Sequence, residues 1–260
     1  LLSTLYTTNV AGTYFQFVRL SPDKQRILIS GAMISPNYQI SLMNADGSGY
    51  QVLRSSTTLG RNGGYGANAV WWDNISYLYN EGGDASASIY KSNVDGTGNL
   101  LLVDESLVSG TGIGSMEKSP DGTKIIFQNQ NGAANSLHYL FTVNADGATG
   151  LTNLNITSYN MNSRWSIDSQ KIVYGCTFSC AGQPSGWALK LANADGTGVA
   201  NLYPNFPNYA AGTPTAFYNN NSILYFDNSL KVINLMNLDG SGVQTILNLG
   251  STEEILDIDF

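Results

Sequence analysis

The sequence has 260 residues, 42% hydrophobic and 12% charged, with a net charge of −7. That is enough apolar material for a real core, which excludes intrinsic disorder. Twelve scattered Lys and Arg form no basic stripe, which argues against nucleic acid and anionic membrane surfaces as partners. No apolar run reaches the roughly 20 residues that cross a bilayer, so no membrane insertion is expected.

In chain order, the first segments with strand composition are RILIS (26–30) and QISLMN (39–44), followed by the phrase NADGSG at 44–49. The phrase returns as NVDGTG at 93, NADGATG at 144, NADGTG at 193 and NLDGSG at 237. Its aspartates, Asp46, Asp95, Asp146, Asp195 and Asp239, stand 49, 51, 49 and 44 residues apart, the spacing of a repeat fold. Each copy has an aliphatic residue four positions before its Asn: Ile40, Ile89, Leu140, Leu189 and Ile233. Upstream of these run RILIS, ISYLY, KIIFQ, KIVYG and SILYF, rich in β-branched and aromatic residues. Downstream, each copy has a short run ending in an aliphatic: Leu53, Leu102, Leu154, Leu202 and Ile246. A fourth segment precedes each set and ends in a corner: VRLSPDK, VWWDN, MEKSPDG, RWSIDS and AFYNN. Each repeat therefore reads as four short strands, with no amphipathic helix.

The repeated phrase has three candidate meanings. A calcium loop would place a carboxylate two residues before the Asn and a Glu seven after the Asp. Those places hold Leu42, Lys91, Thr142, Leu191 and Leu235, then Leu53, Leu102, Asn153, Leu202 and Ile246. A phosphate cradle would open a helix, and none follows. A hairpin corner fits: Asn44, Asn93, Asn144, Asn193 and Asn237 suit the first turn position, where the side chain holds a local backbone N–H. Asp46, Asp95, Asp146, Asp195 and Asp239 suit the third, and Gly47, Gly96, Gly147, Gly196 and Gly240 supply the left-handed residue that closes it. These fifteen residues are structural, and no metal or cofactor is expected.

The pairing of an SPDG-like corner (Ser21-Pro22-Asp23, Ser119-Pro120-Asp121-Gly122) with NxDG[ST]G about 25 residues later resembles the TolB-type, WD40-like β-propeller repeat. WWDNIS, WSIDSQ and FYNNNS replace the first corner in the second, fourth and fifth repeats. The resemblance implies an all-β propeller of four-stranded antiparallel blades, five- or six-bladed. The expected domain is single, 1–260, with blades near 12–54, 66–103, 112–154, 161–203 and 213–247 and terminal strands at 1–6 and 253–260. That family includes periplasmic protein-binding scaffolds, propeller domains of peptidases and some lyases, so it implies a fold and not a reaction. Its lyases use several histidines for metal, whereas this chain has one.

That histidine, His138, lacks a nucleophile elbow and reads as an ordinary strand residue. Glu81, Asp84, Asp104 and Glu105 fall in expected loops, and no two of them are marked as a glycosidase pair. Trp71, Trp72, Trp165 and Trp187, with fifteen tyrosines, admit a carbohydrate ligand. The equivalent repeat positions of Trp72, Trp165 and Phe217 favour packing between blades instead. Sequons stand at Asn74, Asn155 and Asn220. Cys176 and Cys180, in GCTFSCAGQPSG, are placed for a local disulfide, with reduced thiols as the alternative. A bridge, and a surface of Asn, Ser, Thr, Gly and Tyr, point to an extracellular or periplasmic protein. A chain beginning at Leu1 reads as a processed product or a fragment.

The long loops (SGAMISPNY, NEGGDASAS, QNQNGAANS, STTLGRNGGYG, ITSYNMN and PNFPNYAAG among them) gather at one end of the blades. Binding is expected there, at Arg61, Tyr65, Glu81, Asp84, Tyr159, Arg164 and Tyr209. The functional expectation is a non-catalytic scaffold for a protein partner or self-assembly, through the long-loop face or the terminal strands. The alternatives are a hydrolase or lyase with an unrecognised site on that face, and a subunit of an extracellular filament or surface layer. LLSTL (1–5) falls in a fourth-strand slot and EEILDIDF (253–260) in the first-strand slot of a sixth repeat. At least one terminal segment is therefore expected to pair outside the five regular blades.

Overall fold

The computed structural model describes residues 17–32, 38–59, 68–83, 86–108, 112–130, 138–147, 149–158, 163–177, 187–206, 215–227 and 230–249. The expected terminal strands lie outside them. The first blade contains β1 (Phe17–Leu20), β2 (Arg26–Ala32), β3 (Tyr38–Asn44) and β4 (Gln51–Ser56). The second contains β5 (Ala69–Trp71), β6 (Ser76–Gly83), β7 (Ser86–Asn93) and β8 (Leu100–Val103). The third contains β9 (Gly112–Lys118), β10 (Lys124–Gln130), β11 (His138–Asn144) and β12 (Thr152–Ser158). Then come β13 (Ser163–Trp165), β14 (Lys171–Thr177), β15 (Trp187–Asn193) and β16 (Ala200–Phe206). The fifth blade is β17 (Thr215–Asn219), β18 (Ser222–Asp227), β19 (Val232–Asn237) and β20 (Gln244–Asn248). Every sheet is an antiparallel meander of four strands in sequence order, so the fold is all-β and of the propeller class. The only helical element among the described residues is a 3-10 turn at Glu105–Leu107, where Asp104 accepts the Ser106 N–H.

The chain packs as two compact units, Leu1–Gly114 and Ser115–Phe260, and the division falls inside β9. Within each, the core lies between blades rather than inside them. In the first unit, Leu28, Ile40 and Leu42 of blade one meet Trp71, Tyr77 and Tyr79 of blade two. In the second, Ile126, Leu140 and Leu154 meet Trp165, Ile172 and Ala192, and Leu189, Leu191 and Leu202 meet Phe217, Ile223 and Met236. Sheets alternate their side chains between two faces, so blade four, which enters both of these clusters, is apolar on both.

The fourth strand explains the second repeated aliphatic. Ile40 pairs Arg54 and Ser41 pairs Val52, which leaves Leu53 as the extra residue of a β-bulge. The same irregularity isolates Leu102, Leu202 and Ile246, and a wider one contains Leu154. At Leu154 and Leu202 the bulge turns this side chain out of the ladder toward the following blade. Leu154 and Leu202 are buried there, and a Cβ on Gly196 or Gly240 of the next blade would come within 2.5 Å of their carbonyl oxygens.

The corners are self-contained. Asn44 N–H donates to Ser48 O and Gly47 N–H to Asn44 O, and Asp46 Oδ1 accepts both the Ser48 N–H and its hydroxyl. The Asn does not hold a backbone N–H, contrary to the expectation. Its Nδ2 donates to the Ser48 hydroxyl at 2.9 Å, because the carboxylate has taken the N–H. The network repeats around Asn93, Asn193 and Asn237, and around Asn144 with one residue more. It also accounts for the final glycine of the phrase: a Cβ on Gly49, Gly98, Gly198 or Gly242 would lie within 3 Å of the Asn amide nitrogen.

The two corners of each blade are joined. The residue after each Asn gives its N–H to the first corner, as Ala45 to Gln25 O, Val94 to Ile75 O and Ala194 to Gln170 O. First corners are joined across blades as well. Asp23 N–H donates to Asn74 Oδ1, Asp121 N–H to Ser169 Oγ and Asp168 N–H to Asn220 Oδ1, each at 3.0 Å. Two of the three sequon asparagines thus serve as clasps between neighbouring blades.

One alignment needs correction. Strand pairing places Trp71, not Trp72, with Trp165 and Phe217: they face Tyr77, Ile172 and Ile223. The first corner of blade two closes Trp72 N–H on Ser76 O, one residue shorter than Ser21 N–H on Arg26 O. Trp71 is buried with its Nε1 donating to Arg19 O of blade one, while Trp72 lies under the Lys91 ammonium, 4.4 Å from its ring centroid.

Candidate functional site

Each blade has a corner end and a loop end. Five copies of one phrase build the corner end, and its polar groups are largely satisfied by one another. The chemistry that varies from blade to blade is at the loop end. Of the seven expected binding residues, Glu81 and Arg164 are described; Arg61, Tyr65, Asp84, Tyr159 and Tyr209 lie outside the described residues. So does Cys180, and with it the proposed bridge to Cys176 of β14.

Glu81 sits near the end of β6, where the segment leaving β4 crosses it through a Leu59–Glu81 bridge. The Thr58 hydroxyl donates to Glu81 Oε1 at 3.2 Å, and Gly82 N–H donates to Thr58 O at 2.9 Å. Beneath it, Asn80 is buried and fully used. Its Oδ1 accepts the Asn68 N–H at 3.0 Å, and its Nδ2 donates to Ile113 O at 2.8 Å. The buried Asn68 carboxamide has neither atom in a hydrogen bond. Glu81 is partly exposed and accepts from the Thr58 hydroxyl, and it is the ionisable group of this cluster.

Arg164, in β13, is buried and faces the fifth blade, where its Nε donates to Thr215 O at 3.3 Å. The adjoining Trp165 N–H donates to Glu117 Oε2 of blade three at 2.9 Å. Charge on these innermost strands is thus engaged between blades. His138 begins β11, opposite Gln130 and Ser158. Its burial pushes the imidazole pKa down to about 4, so it is neutral at physiological pH. Lys190 is buried across from Tyr174, and burial lowers the one pKa and raises the other. Among the described residues, no three His, Cys, Asp or Glu side chains are grouped to hold a metal. Nor does any described helix have the length and apolarity to cross a membrane.

Sequence reasoning missed Asn80, Asn68 and Thr58. They occur in one blade only, so no repeat marks them. Arg54 was also missed, although its position in the period is as regular as its neighbours'.

No family model and no curated protein sequence matches the chain. Solved structures do. TolB from Acinetobacter baumannii superposes with a TM-score of 0.60 at 16% identity, over 88% of this chain and 53% of that one. The chain thus spans about half the length of that relative. A chain of the nidogen/laminin complex gives 0.63 at 14% identity, over 89% and 79%. An oligogalacturonate lyase in complex with manganese gives 0.61 at 12% identity, over 91% and 66%. Likenesses at these identities establish architecture and leave activity open. With five four-stranded blades, corner phrases repeated in register and this structural likeness, the chain has a β-propeller fold similar to that of TolB.

Proposed function

We propose that the chain is a non-catalytic scaffold outside the cytoplasm that binds a protein partner through the loop ends of its blades. The observation that carries this reading is the contrast between the two ends. Corner groups are consumed by internal hydrogen bonds in every repeat, which leaves little to offer a partner. At the loop end, Glu81 stands partly exposed, accepting from the Thr58 hydroxyl and following the buried, hydrogen-bonded Asn80 in β6. Binding residues on loops held by a stiff scaffold are the usual arrangement in repeat folds. The engagement of Arg164 with Thr215 and of Glu117 with the Trp165 N–H, both between blades, and the burial of His138 favour binding over catalysis.

A photo-crosslinking amino acid placed at Thr58 or Glu81, in the source cells, tests the reading. Discrete protein adducts from these positions, with none from a probe at Asp239 on the corner end, are expected. Equal labelling from both ends, or none from Thr58 and Glu81, would overturn it. The location has its own check. Intact mass under non-reducing conditions should show Cys176 and Cys180 bridged, and two free thiols would count against an oxidising compartment.

A further inference from the structure

Every corner phrase contains an Asp–Gly bond, at 46–47, 95–96, 146–147, 195–196 and 239–240. This bond is prone to rearrange, because glycine has no side chain to keep its amide nitrogen from the preceding side-chain carbonyl. The nitrogen bonds to the Asp Cγ, and the amide proton leaves with the OH of the protonated carboxyl as one water. The five-membered imide then takes a water back at either carbonyl. Addition at the side-chain carbonyl restores aspartate. Addition at the main-chain carbonyl leaves isoaspartate, with the backbone running through Cβ and the α-carboxylate free. The net change is an isomerisation that needs no oxidant.

One restraint on this step is common to the corners. Asp95 Oδ1 accepts the Thr97 N–H at 2.9 Å and its hydroxyl at 2.6 Å, while Gly96 N–H donates to Asn93 O at 3.0 Å. The same bonds occupy Asp46 and Gly47, Asp195 and Gly196, and Asp239 and Gly240. Nucleophile and electrophile are thus both engaged, so the ring closes only when a corner opens locally. The hydroxyls also hold the carboxylates below their ordinary 3.8, in the ionised form from which water does not leave.

A second restraint differs from corner to corner. Ring closure turns the Asp–Gly peptide group, and isoaspartate adds a methylene to the backbone, so both need room. Gly196 and Gly240 have none: a Cβ there would lie 2.5 Å from Leu154 O or Leu202 O of the blade before. Gly96 has nothing within 4 Å of that position. It is also exposed, whereas Gly47, Gly196 and Gly240 are half-buried and Gly147 is buried. We infer that Asp95–Gly96 is a site of isoaspartate formation in the folded chain, and that the Thr97 hydroxyl is the group that slows the reaction there. The altered residue is a substrate for methyltransferases that recognise the free α-carboxylate of isoaspartyl residues. This site lies on the corner end and is independent of the loop-end reading.

Ageing the full chain at neutral pH and body temperature tests it. Isoaspartate is counted with a protein isoaspartyl methyltransferase and placed by peptide mapping with electron-transfer fragmentation. Asp95 and Asp195 are both followed by Gly-Thr-Gly, so a difference between them reports the fold and not the local sequence. In the folded chain, isoaspartate should accumulate at Asp95 several-fold faster than at Asp195 or Asp239, and in urea the three should keep pace. Thr97→Val keeps the N–H and removes the hydroxyl, and it should raise the Asp95 rate several-fold with Asp195 and Asp239 unchanged. A rise at all three would instead report unfolding. Thr97→Ser restores the hydroxyl and should match wild type. Equal rates at the three sites in the folded chain, no isoaspartate at Asp95, or a Thr97→Val variant that ages like wild type or at all three sites together would each overturn the inference.

Discussion

The guanidinium of Arg54 lies over the ring of Tyr79, 4.2 Å from its centroid, with the two residues in different blades. Arg54 Nε also donates to the Tyr77 hydroxyl at 3.2 Å, and its Nη2 donates to Asn99 Oδ1 at 3.0 Å, an oxygen that Tyr79 OH shares at 2.7 Å. One side chain from β4 thus fastens the first blade to the second. Arg54→Ala should cost about 2 kcal/mol, the sum expected for a partly shielded cation–π contact and its hydrogen bonds. Arg54→Lys keeps the charge without the planar fork and should fall between. Urea unfolding of both variants measures this, and an Arg54→Ala midpoint equal to wild type would remove the clamp.

Glycine substitutions should separate backbone strain from close approach. Gly96, Gly196 and Gly240 have φ of +86°, +84° and +83°, so alanine is strained at all three. Gly96 has open space around it, whereas Gly196 and Gly240 abut the carbonyls of Leu154 and Leu202. Gly96→Ala should cost about 1 kcal/mol from strain alone. Gly196→Ala and Gly240→Ala should cost about 2 kcal/mol more, because the neighbouring strand must move. Chemical denaturation of the three variants tests the order, and equal costs would contradict the packing role of the corner.

Acid should loosen the protein in two windows. Burial holds the His138 pKa at about 4, below its ordinary 6.5, so between those values the unfolded chain binds a proton that the folded chain refuses. Stability should therefore fall as pH drops from 6.5 to 4, and His138→Phe should flatten that limb. Ser48, Thr97, Thr197 and Ser241 hydroxyls, with their backbone N–H groups, hold Asp46, Asp95, Asp195 and Asp239 below the ordinary 3.8. These depressed carboxylates stabilise the fold above that value and lose the contribution as pH falls further. Denaturation midpoints from pH 7 to 2.5 should show both limbs. A curve for His138→Phe parallel to wild type above pH 4 would refute the first.

The buried asparagines of blade two should respond oppositely to truncation. Asn80→Ala strands the Asn68 N–H and the Ile113 carbonyl and should cost about 2 kcal/mol. Asn68→Ala removes a carboxamide without a hydrogen bond, so its loss of packing is offset by relief of an unsatisfied polar group, and the net change should be within about 0.5 kcal/mol of zero. Thermal melts of the two variants decide the matter, and comparable losses would show that the Asn68 carboxamide has a partner.

The repeat made the blades and corners legible before any coordinates. Equal spacing of the aspartates implies equal spacing of the hairpins, and β-branched runs have few other uses. Across-chain relationships were less legible. Which of Trp71 and Trp72 enters the core depends on a corner one residue shorter, and sequence spacing alone does not register that. The bulge residues Leu53, Leu102, Leu154, Leu202 and Ile246 were visible as a recurring aliphatic, but their outward turn is a matter of pairing, not composition. The loop-end site was least legible, because Thr58, Asn80 and Glu81 meet once, in one blade, and periodicity carries no information about a feature that does not repeat.

The bulge under the next corner also bears on how such chains lengthen. Both halves of a junction are encoded inside one repeat: the aliphatic at its end, and the glycine and inner strand that accept it near its middle and start. Duplicating a stretch of about one period, from any starting point, therefore yields a new blade already complementary to both neighbours. Length in this architecture can be inherited by gene duplication with no new surface to invent. Selection is then left to work on the loops, the part of each repeat that the junction does not constrain.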